Sequence, residues 1–594
     1  MREYAASPTF VVPKAGNLTD DVVRNAERYG DLVGFRRRVG PGWRDVTWAE
    51  FLVDVTATAK GLIGAGVACG QRVALMSRTR YEWTVLDYAI WFTGAVTVPI
   101  YATSSTEQVR WVLESSQAVL VVAETAEHAA RIDDARSGLA DLRRVVCLEG
   151  GGLAELVRAG SGLADATVQD RRREATPDTL ATVVYTSGTT GRPRGCCLTH
   201  GNVMFQGGVA TSLLPELFDA DAASTLLFLP LAHVFARVVG VACVQARVRV
   251  GHTAEITDLL DDLRSFSPTF VLAVPRVFES VFNTASRRAA TNGKARLFSA
   301  AVSTAVAYSR ASDGSGPGLL LRGRHRVFDR LVYVKLRTAL GGRLRWAVSG
   351  GAPLGERLVH FYRGAGVAVL EGYGLTETTA AVTVNLPRIQ RGGSVGRPLP
   401  GTTVRVADDG ELVMRGSQVF AGYWRDEQST AECLVDGWFF TGDVGEVDDD
   451  GFVRVTGRKK EVLVTAGGKN VAPDVLEDRV RASPLVGQCM VVGESRPFVA
   501  ALITLDSRAV TAWLAARRRT ATIADLVHDP QMLAEVQRAV DDANASVSRA
   551  EAIRTFAILT AEWSEETGEL TPTLELRRSL VAAKFAADVE ALYL

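Results

Sequence analysis

Apolar positions along the chain follow two alternating rhythms. From Trp48 to Ala65 they recur at three- and four-residue spacing, which predicts a helix. Arg72-Val-Ala-Leu-Met76 and Ala118-Val-Leu-Val-Val-Ala123 are short apolar runs and predict buried strands. Between residues 180 and 390 such runs recur at Leu180–Val184, Thr225–Leu229, Phe270–Val274, Leu344–Val348 and Val367–Leu370, each leading into a Gly, Pro or Ser loop. Strands alternating with helical segments predict an α/β fold with a mostly parallel sheet and binding loops at the strand ends. Val238 to Val250 is also apolar, but Arg247 and Arg249 interrupt it, so it reads as buried core.

The rhythm changes at residue 391. Thr403-Val-Arg-Val406 and Glu411-Leu-Val-Met414 alternate with Asp/Gly turns such as Asp408-Asp-Gly410 and Asp448-Asp-Asp-Gly451, which predicts a small β-rich subdomain. After Gly457 mixed patterning returns, with a helix over Asp474–Arg481 and strands at Met490–Val492 and Ala501–Thr504. The expected organisation is a large N-terminal domain (1–456, with 391–456 β-rich), a hinge at 457–460, and a small mobile α+β C-terminal domain over 461–594.

Composition narrows the function classes. A chain of 594 residues needs more than one core. Lys+Arg and Asp+Glu are equal at 67 each, so no global field favours nucleic acid or an anionic surface. The clusters Arg36–Arg38, Arg171–Arg173 and Arg517–Arg519 are short and read as solvated surface. Seven scattered cysteines without a C-x-x-C pair suit a reducing compartment, and the N-terminus lacks an apolar signal core, so a cytoplasmic location without an integral membrane segment is expected. Eight of the 67 basic residues are lysines, a strong bias towards arginine.

The candidate chemistry begins at Tyr185-Thr-Ser-Gly-Thr-Thr-Gly-Arg-Pro-Arg-Gly195. A strand running into a loop of glycines and hydroxyls offers backbone N–H groups and side-chain donors to a polyphosphate, and the spacing is not that of a P-loop. Four further segments follow in order: Ser349-Gly-Gly-Ala-Pro-Leu354, Gly372-Tyr-Gly-Leu-Thr-Glu-Thr378, Gly437-Trp-Phe-Phe-Thr-Gly-Asp443 and Gly457-Arg-Lys-Lys-Glu461. Together they resemble the signature motifs of the AMP-forming, adenylate-forming enzymes. Pro230-Leu-Ala-His-Val-Phe-Ala-Arg237, Val274-Pro-Arg-Val-Phe-Glu279 and Ala466-Gly-Gly-Lys-Asn-Val-Ala-Pro473 are most similar to the long-chain acyl-CoA ligase branch.

The resemblance implies roles. Thr186, Ser187, Gly188, Thr189, Thr190, Gly191 and Arg194 would hold the phosphates of ATP. Gly350, Gly351, Ala352, Pro353, Gly372, Tyr373 and Gly374 would surround adenine, with Tyr373 stacked on it. Thr376 would contact the α-phosphate and Glu377 would hold Mg²⁺. Asp443 would accept the ribose hydroxyls and Arg458 would reach ribose or phosphate. Lys460 would be the pivot on which the C-terminal domain turns between adenylation and attack by a thiol. Gly467, Gly468 and Lys469 would line the passage for the pantetheine arm of CoA. His233 would line the carboxylate pocket and gate the nucleophile; the alternative, read from the residues alone, is a core histidine satisfied by backbone.

Two cations depart from the family pattern. The phosphate loop ends Pro-Arg194-Gly where relatives have lysine, a swap that keeps the charge but changes shape and reach. In Gly568-Glu-Leu-Thr-Pro-Thr-Leu-Glu-Leu-Arg-Arg578, Glu575 stands where relatives carry the lysine that bridges carboxylate, α-phosphate and pyrophosphate. Arginine bias does not explain a glutamate. Three readings follow. The first is an acid–CoA ligase for a fatty or aryl acid, with Arg577, Arg578 or Lys584 replacing that cation. The second is a natural-product diazotase, using ATP and nitrite on an aromatic amine. The third is a non-catalytic nucleotide-binding protein.

Overall fold

Trp48, Phe51, Val55, Ala59 and Leu62 lie on one side of the helix Trp48–Gly64 and are all buried. The helix begins at a capping box in which Thr47 and Glu50 satisfy each other's backbone N–H. The computed structural model containing it describes residues 3–40, 42–186, 192–218, 223–314, 316–466, 469–571 and 575–594.

Two large sheets build the N-terminal domain. The first has six strands in the spatial order Arg144–Cys147, Ala118–Ala123, Arg72–Met76, Val96–Ile100, Leu180–Thr186 and Arg194–Thr199. Only the last is antiparallel to its neighbour. The second has nine strands, with the parallel series Ala368–Leu375, Trp346–Ser349, Phe270–Ala273, Ser224–Leu227, Arg249–His252 and Val33–Val39 at its centre. Antiparallel strands close both of its edges. The apolar run 238–250 divides between the helix Val234–Ala246 and the strand Arg249–His252. The expected mostly parallel α/β architecture is thus present, split over two sheets.

A buried ion pair fixes that helix against the opposite layer. Arg237 donates to Asp87 through Nε at 2.7 Å and Nη2 at 2.5 Å, and to Thr182 at 2.6 Å. Its guanidinium also faces the rings of Trp83 and Trp91 at 5.5 and 5.2 Å. Arg172 is a correction to the solvated-surface reading: it is 7% exposed, donating to Thr19 and Asp20.

The β-rich subdomain is a six-stranded antiparallel sheet of Glu3–Ala5, Thr403–Val406, Glu411–Arg415, Leu434–Val435, Trp438–Val447 and Val453–Arg458. Gly457 and Arg458 therefore belong to its last strand rather than to a linker. Beyond them, Val486–Val492, Val499–Leu505 and Ile553–Leu559 form a separate sheet with its own apolar core, packed by the helices Pro473–Arg481 and Pro530–Asn544. Among the described residues no helix is long and apolar enough to cross a membrane. All seven cysteines are free.

Candidate nucleotide site

The strands Leu180–Thr186 and Arg194–Thr199 pair antiparallel with Thr186 opposite Arg194, so the phosphate-loop sequence is the tip of a hairpin. Ser187, Gly188, Thr189, Thr190 and Gly191 lie outside the described residues. One flank of the tip is held by the Trp111 indole N–H, which donates to the Pro193 carbonyl at 2.8 Å, and by Arg192 over the Trp111 ring at 4.7 Å.

On the other flank the Arg194 guanidinium lies 4.4 Å from the centre of the Tyr423 ring. The Tyr423 hydroxyl donates to Glu377 Oε1 at 2.7 Å, and burial with the Glu377 charge pushes its pKa well up. Tyr423 thus joins the loop cation to the expected metal-binding carboxylate. Sequence reading passed over it, although an aromatic pair in Ala421-Gly-Tyr-Trp-Arg425 was a signal. That segment is stitched to the hairpin by backbone bonds, Cys197 N–H to Gly422 at 2.9 Å and Trp424 N–H to Gly195 at 2.7 Å.

Thr376 and Glu377 sit in the one-turn helix Thr376–Thr378 that follows the strand Ala368–Leu375. Gly374 is required there, since a Cβ would meet the Ala380 carbonyl oxygen at 1.6 Å. Glu371, also passed over, accepts from the Leu354 N–H at 3.0 Å and so anchors the loop of Gly350, Gly351, Ala352 and Pro353 beside Gly372. Burial pushes the Glu371 carboxyl up to about 7. Its signal was an acid ending an apolar strand.

Tyr373 donates its hydroxyl to Asp443 Oδ2 at 2.5 Å, and Arg458 Nε is 3.6 Å from Oδ1. Asp443 and Arg458 face each other as register partners on adjacent strands. Burial raises the Asp443 pKa, against the lowering effects of Arg458 and Tyr373. The adenine and ribose candidates are therefore one connected group.

Glu575 comes to this group from the C-terminal domain. Its N–H donates to Thr571 Oγ1 at 3.0 Å. Desolvation raises its carboxyl, Arg458 opposes that, and Glu461, Asp443 and Asp474 add to it. Desolvation at Arg458 is outweighed by Glu575, then Asp443 and Glu461, which together raise its pKa. Tyr101, from the N-terminal domain, is pushed up by burial and then by the Glu575 charge. Two proposed replacement cations are already engaged. Arg578 is held by Glu477 at 2.5 Å, Glu461 at 3.1 Å and Asp474 at 3.6 Å, and Lys584 pairs with Glu569. The Arg577 side chain is half-buried, without an ion pair to a described residue.

The remaining candidates lie around this group. Lys460 is exposed between two anchored neighbours: Lys459 contacts Asp409 and Glu411 at 2.5 and 2.7 Å, and Glu461 contacts Arg578. His233 caps the helix Val234–Ala246, its Nδ1 accepting from the Phe235 N–H at 3.2 Å. Burial lowers its pKa to about 4, so the ring is neutral near pH 7. Lys469 reaches Glu551 at 3.4 Å, and Gly467 and Gly468 lie outside the described residues.

Comparison with known proteins identifies the family. Residues 22–424 match the AMP-binding enzyme family and residues 460–594 match the AMP-binding enzyme C-terminal domain. The chain is 50% identical to the long-chain-fatty-acid–CoA ligase FadD15 of Mycobacterium tuberculosis, with all of both chains covered. It is 36% identical to a putative fatty-acid–CoA ligase, fadD11, of the same species, over 71% of this chain and 75% of that one. Among solved structures, the anthranilate CoA ligase AuaEII with anthranoyl-AMP has a TM-score of 0.74 at 19% identity, covering 97% of this chain and 99% of that one. The adenylation domain of a carboxylate reductase from Mycobacterium chelonae has a TM-score of 0.75 at 22% identity, covering 98% and 92%. With both family domains matched in order and a ligase relative 50% identical over its full length, the chain belongs to the adenylate-forming AMP-binding enzymes, in their acyl-CoA synthetase branch.

Proposed function

We propose that this chain is an ATP-dependent, AMP-forming ligase that joins a long-chain fatty acid to CoA. The observation that carries the reading is the 50% identity to a long-chain-fatty-acid–CoA ligase over the full length of both chains. In the first half-reaction the substrate carboxylate attacks the α-phosphate, giving acyl-AMP and pyrophosphate. In the second, the CoA thiol attacks the acyl carbon and AMP leaves.

The geometry supports a division of labour. Asp443, oriented by the Tyr373 hydroxyl, accepts from the ribose, and Arg458 beside it supplies positive charge. Arg194, braced on Tyr423, faces the phosphates. Charge builds on phosphate oxygens in adenylation, so placed cations carry much of the catalysis. Neutral His233 serves as a wall of the acid pocket rather than as a cation. Rotation about Lys460 would carry Glu575 away and bring the Gly467–Lys469 segment towards the thiol path.

Glu377 fits a single protein ligand for Mg²⁺: Tyr423 occupies Oε1, which leaves Oε2 available. Among the described residues no group of three or more His, Cys, Asp or Glu could hold a metal ion. A magnesium ion held by one carboxylate plus substrate phosphates and water suits that scarcity. When bound, it neutralises charge on the phosphates. Seven free cysteines support a cytoplasmic location.

The relatives give no support to nitrite and an aromatic amine as substrates. A non-catalytic role is set aside because full-length relatives are enzymes. The test is chromatography of AMP and thioester from ATP, Mg²⁺ and CoA with acids of graded chain length. Release of both products, rising with chain length, is expected. No thioester with any fatty acid, alongside AMP release with nitrite and an aromatic amine, would overturn the reading.

A further inference from the structure

The segment Val274-Pro-Arg-Val-Phe-Glu279 opens the helix Pro275–Thr291, and part of it serves packing. Val274 borders Gly351 of the adenine-loop candidate. Pro275 is buried in the first turn, and Phe278 is buried with its carbonyl accepting from the Tyr362 hydroxyl at 2.6 Å. Arg276 and Glu279, three residues apart, share another face. That face meets the C-terminal domain. Arg276 Nη1 donates to the Gly487 carbonyl at 3.3 Å, and Nη2 lies 3.9 Å from Asp506 Oδ2. Glu279 feels the charges of Arg276 and of Arg481, which ends the helix Pro473–Arg481.

An arginine in the first turn of a helix opposes the helix dipole, so local helix stability does not account for Arg276. Asp506 does. Its Oδ1 caps the helix Ser507–Ala516 by accepting from the Ala509 N–H at 2.8 Å, while Oδ2 is turned to Arg276. A second bridge lies alongside. Arg357, likewise in a first turn, that of Glu356–Gly364, lies over the Phe282 ring at 5.3 Å and feels the charge of Asp542 from the helix Pro530–Asn544. Arg276, Glu279 and Arg357 all precede Lys460 in the chain, and Gly487, Asp506, Arg481 and Asp542 all follow it. Rotation of the C-terminal domain about Lys460 would therefore break these contacts together. They are made in the orientation that brings Glu575 to the Arg458–Asp443 group.

We propose that Arg276 is a positioning residue: with Asp506 it latches the C-terminal domain in the orientation that serves adenylation and lets go before thiol attack. The inference rests on the ligase reading. The full chain is assayed for ATP–pyrophosphate exchange with a long-chain acid and, separately, for thioester formation from preformed acyl-AMP and CoA. Arg276→Ala should lower exchange about tenfold and leave the thioester step unchanged or faster. Arg276→Lys should recover exchange to within about threefold of wild type. Asp506→Asn keeps the helix cap and should also lower exchange, yet add little to Arg276→Ala, since both remove one shared contact. Both side chains are partly exposed, so the thermal unfolding midpoint should hold. Small-angle X-ray scattering reads the latch without activity: Arg276→Ala should broaden the distribution of interatomic distances relative to wild type. Equal loss in both half-reactions, unchanged exchange, additive losses in the double variant or identical scattering profiles would each overturn the proposal. Absence of exchange in the wild type with any acid counts against the ligase reading and leaves the latch to the scattering comparison.

Discussion

Tyr423 and Glu377 are 46 residues apart in the chain, yet the phenol donates to the carboxylate at 2.7 Å while its ring lies beneath the Arg194 guanidinium. One aromatic side chain therefore orients both an anion and a cation of the candidate phosphate region. Tyr423→Phe keeps the ring under Arg194 and removes only the donor to Glu377. A hydrogen bond to a charged group contributes about 1.5–3 kcal/mol, so kcat/KM for ATP should fall roughly 10- to 100-fold. The Mg²⁺ concentration for half-maximal rate should rise with it. Steady-state pyrophosphate release across a magnesium series checks this, and an unchanged magnesium dependence would separate Tyr423 from the metal site.

Glu575 brings an acid towards the Arg458–Asp443 pair, where the phosphates of the proposed substrate need positive charge. Glu575→Lys should raise the adenylation half-reaction by about 10²-fold, the scale of one preorganised charge. Glu575→Gln removes the repulsion without adding a cation and should give a smaller gain. ATP–pyrophosphate exchange isolates this half-reaction. If lysine gives no gain with any acid, Glu575 does not face the reacting phosphate.

Glu371 makes stability depend on pH. Its folded value of about 7 lies above the ordinary 4.5, so the folded chain holds this proton more tightly than the unfolded chain does. The resulting stabilisation is complete below pH 4.5 and is lost as pH rises through about 7. Glu371→Gln removes this dependence. Between those limits the stability difference between wild type and variant should change by about 3 kcal/mol, wild type losing ground as pH rises. Denaturant unfolding at a series of pH values measures it, and parallel curves for the two proteins would contradict the assignment.

Lys460→Pro stiffens the one exposed residue between Lys459, tied to the subdomain, and Glu461, tied to Arg578. Proline fixes φ and restricts the residue before it. The adenylation half-reaction should keep its rate, while thioester formation from preformed acyl-AMP should slow by more than about tenfold. Single-turnover assays separate the two steps. Equal loss in both would indicate damage to the site rather than to a pivot.

Much of this architecture was legible in residue patterning. The runs at 72–76 and 118–123 are strands with those limits, and the helix read from Trp48 ends one residue early. Local rhythm carries such elements because burial imposes it. The strand Glu3–Ala5 was invisible by the same logic: three residues have no period, and their partner Thr403–Val406 is some 400 residues away. The motif glycines and Asp443 were named as candidates because a ligand's shape dictates residue type at short spacing. Tyr423 and Glu371 were passed over, because their contacts join distant segments and leave only a weak local signal. Gly457 and Arg458 were assigned to a linker because the β pattern changes there, although Gly457, at φ +153°, continues a strand.

The strand Val453–Arg458 ends in the residue that faces Asp443, and Lys460 lies two positions further on. The proposed ribose contact and the proposed pivot would therefore share one short lever. By thermodynamic linkage, the factor by which one orientation of the C-terminal domain changes nucleotide affinity is the factor by which nucleotide shifts that orientation. Occupancy of the proposed adenosine site would in this sense be a gauge of domain position, and domain position a dial on occupancy.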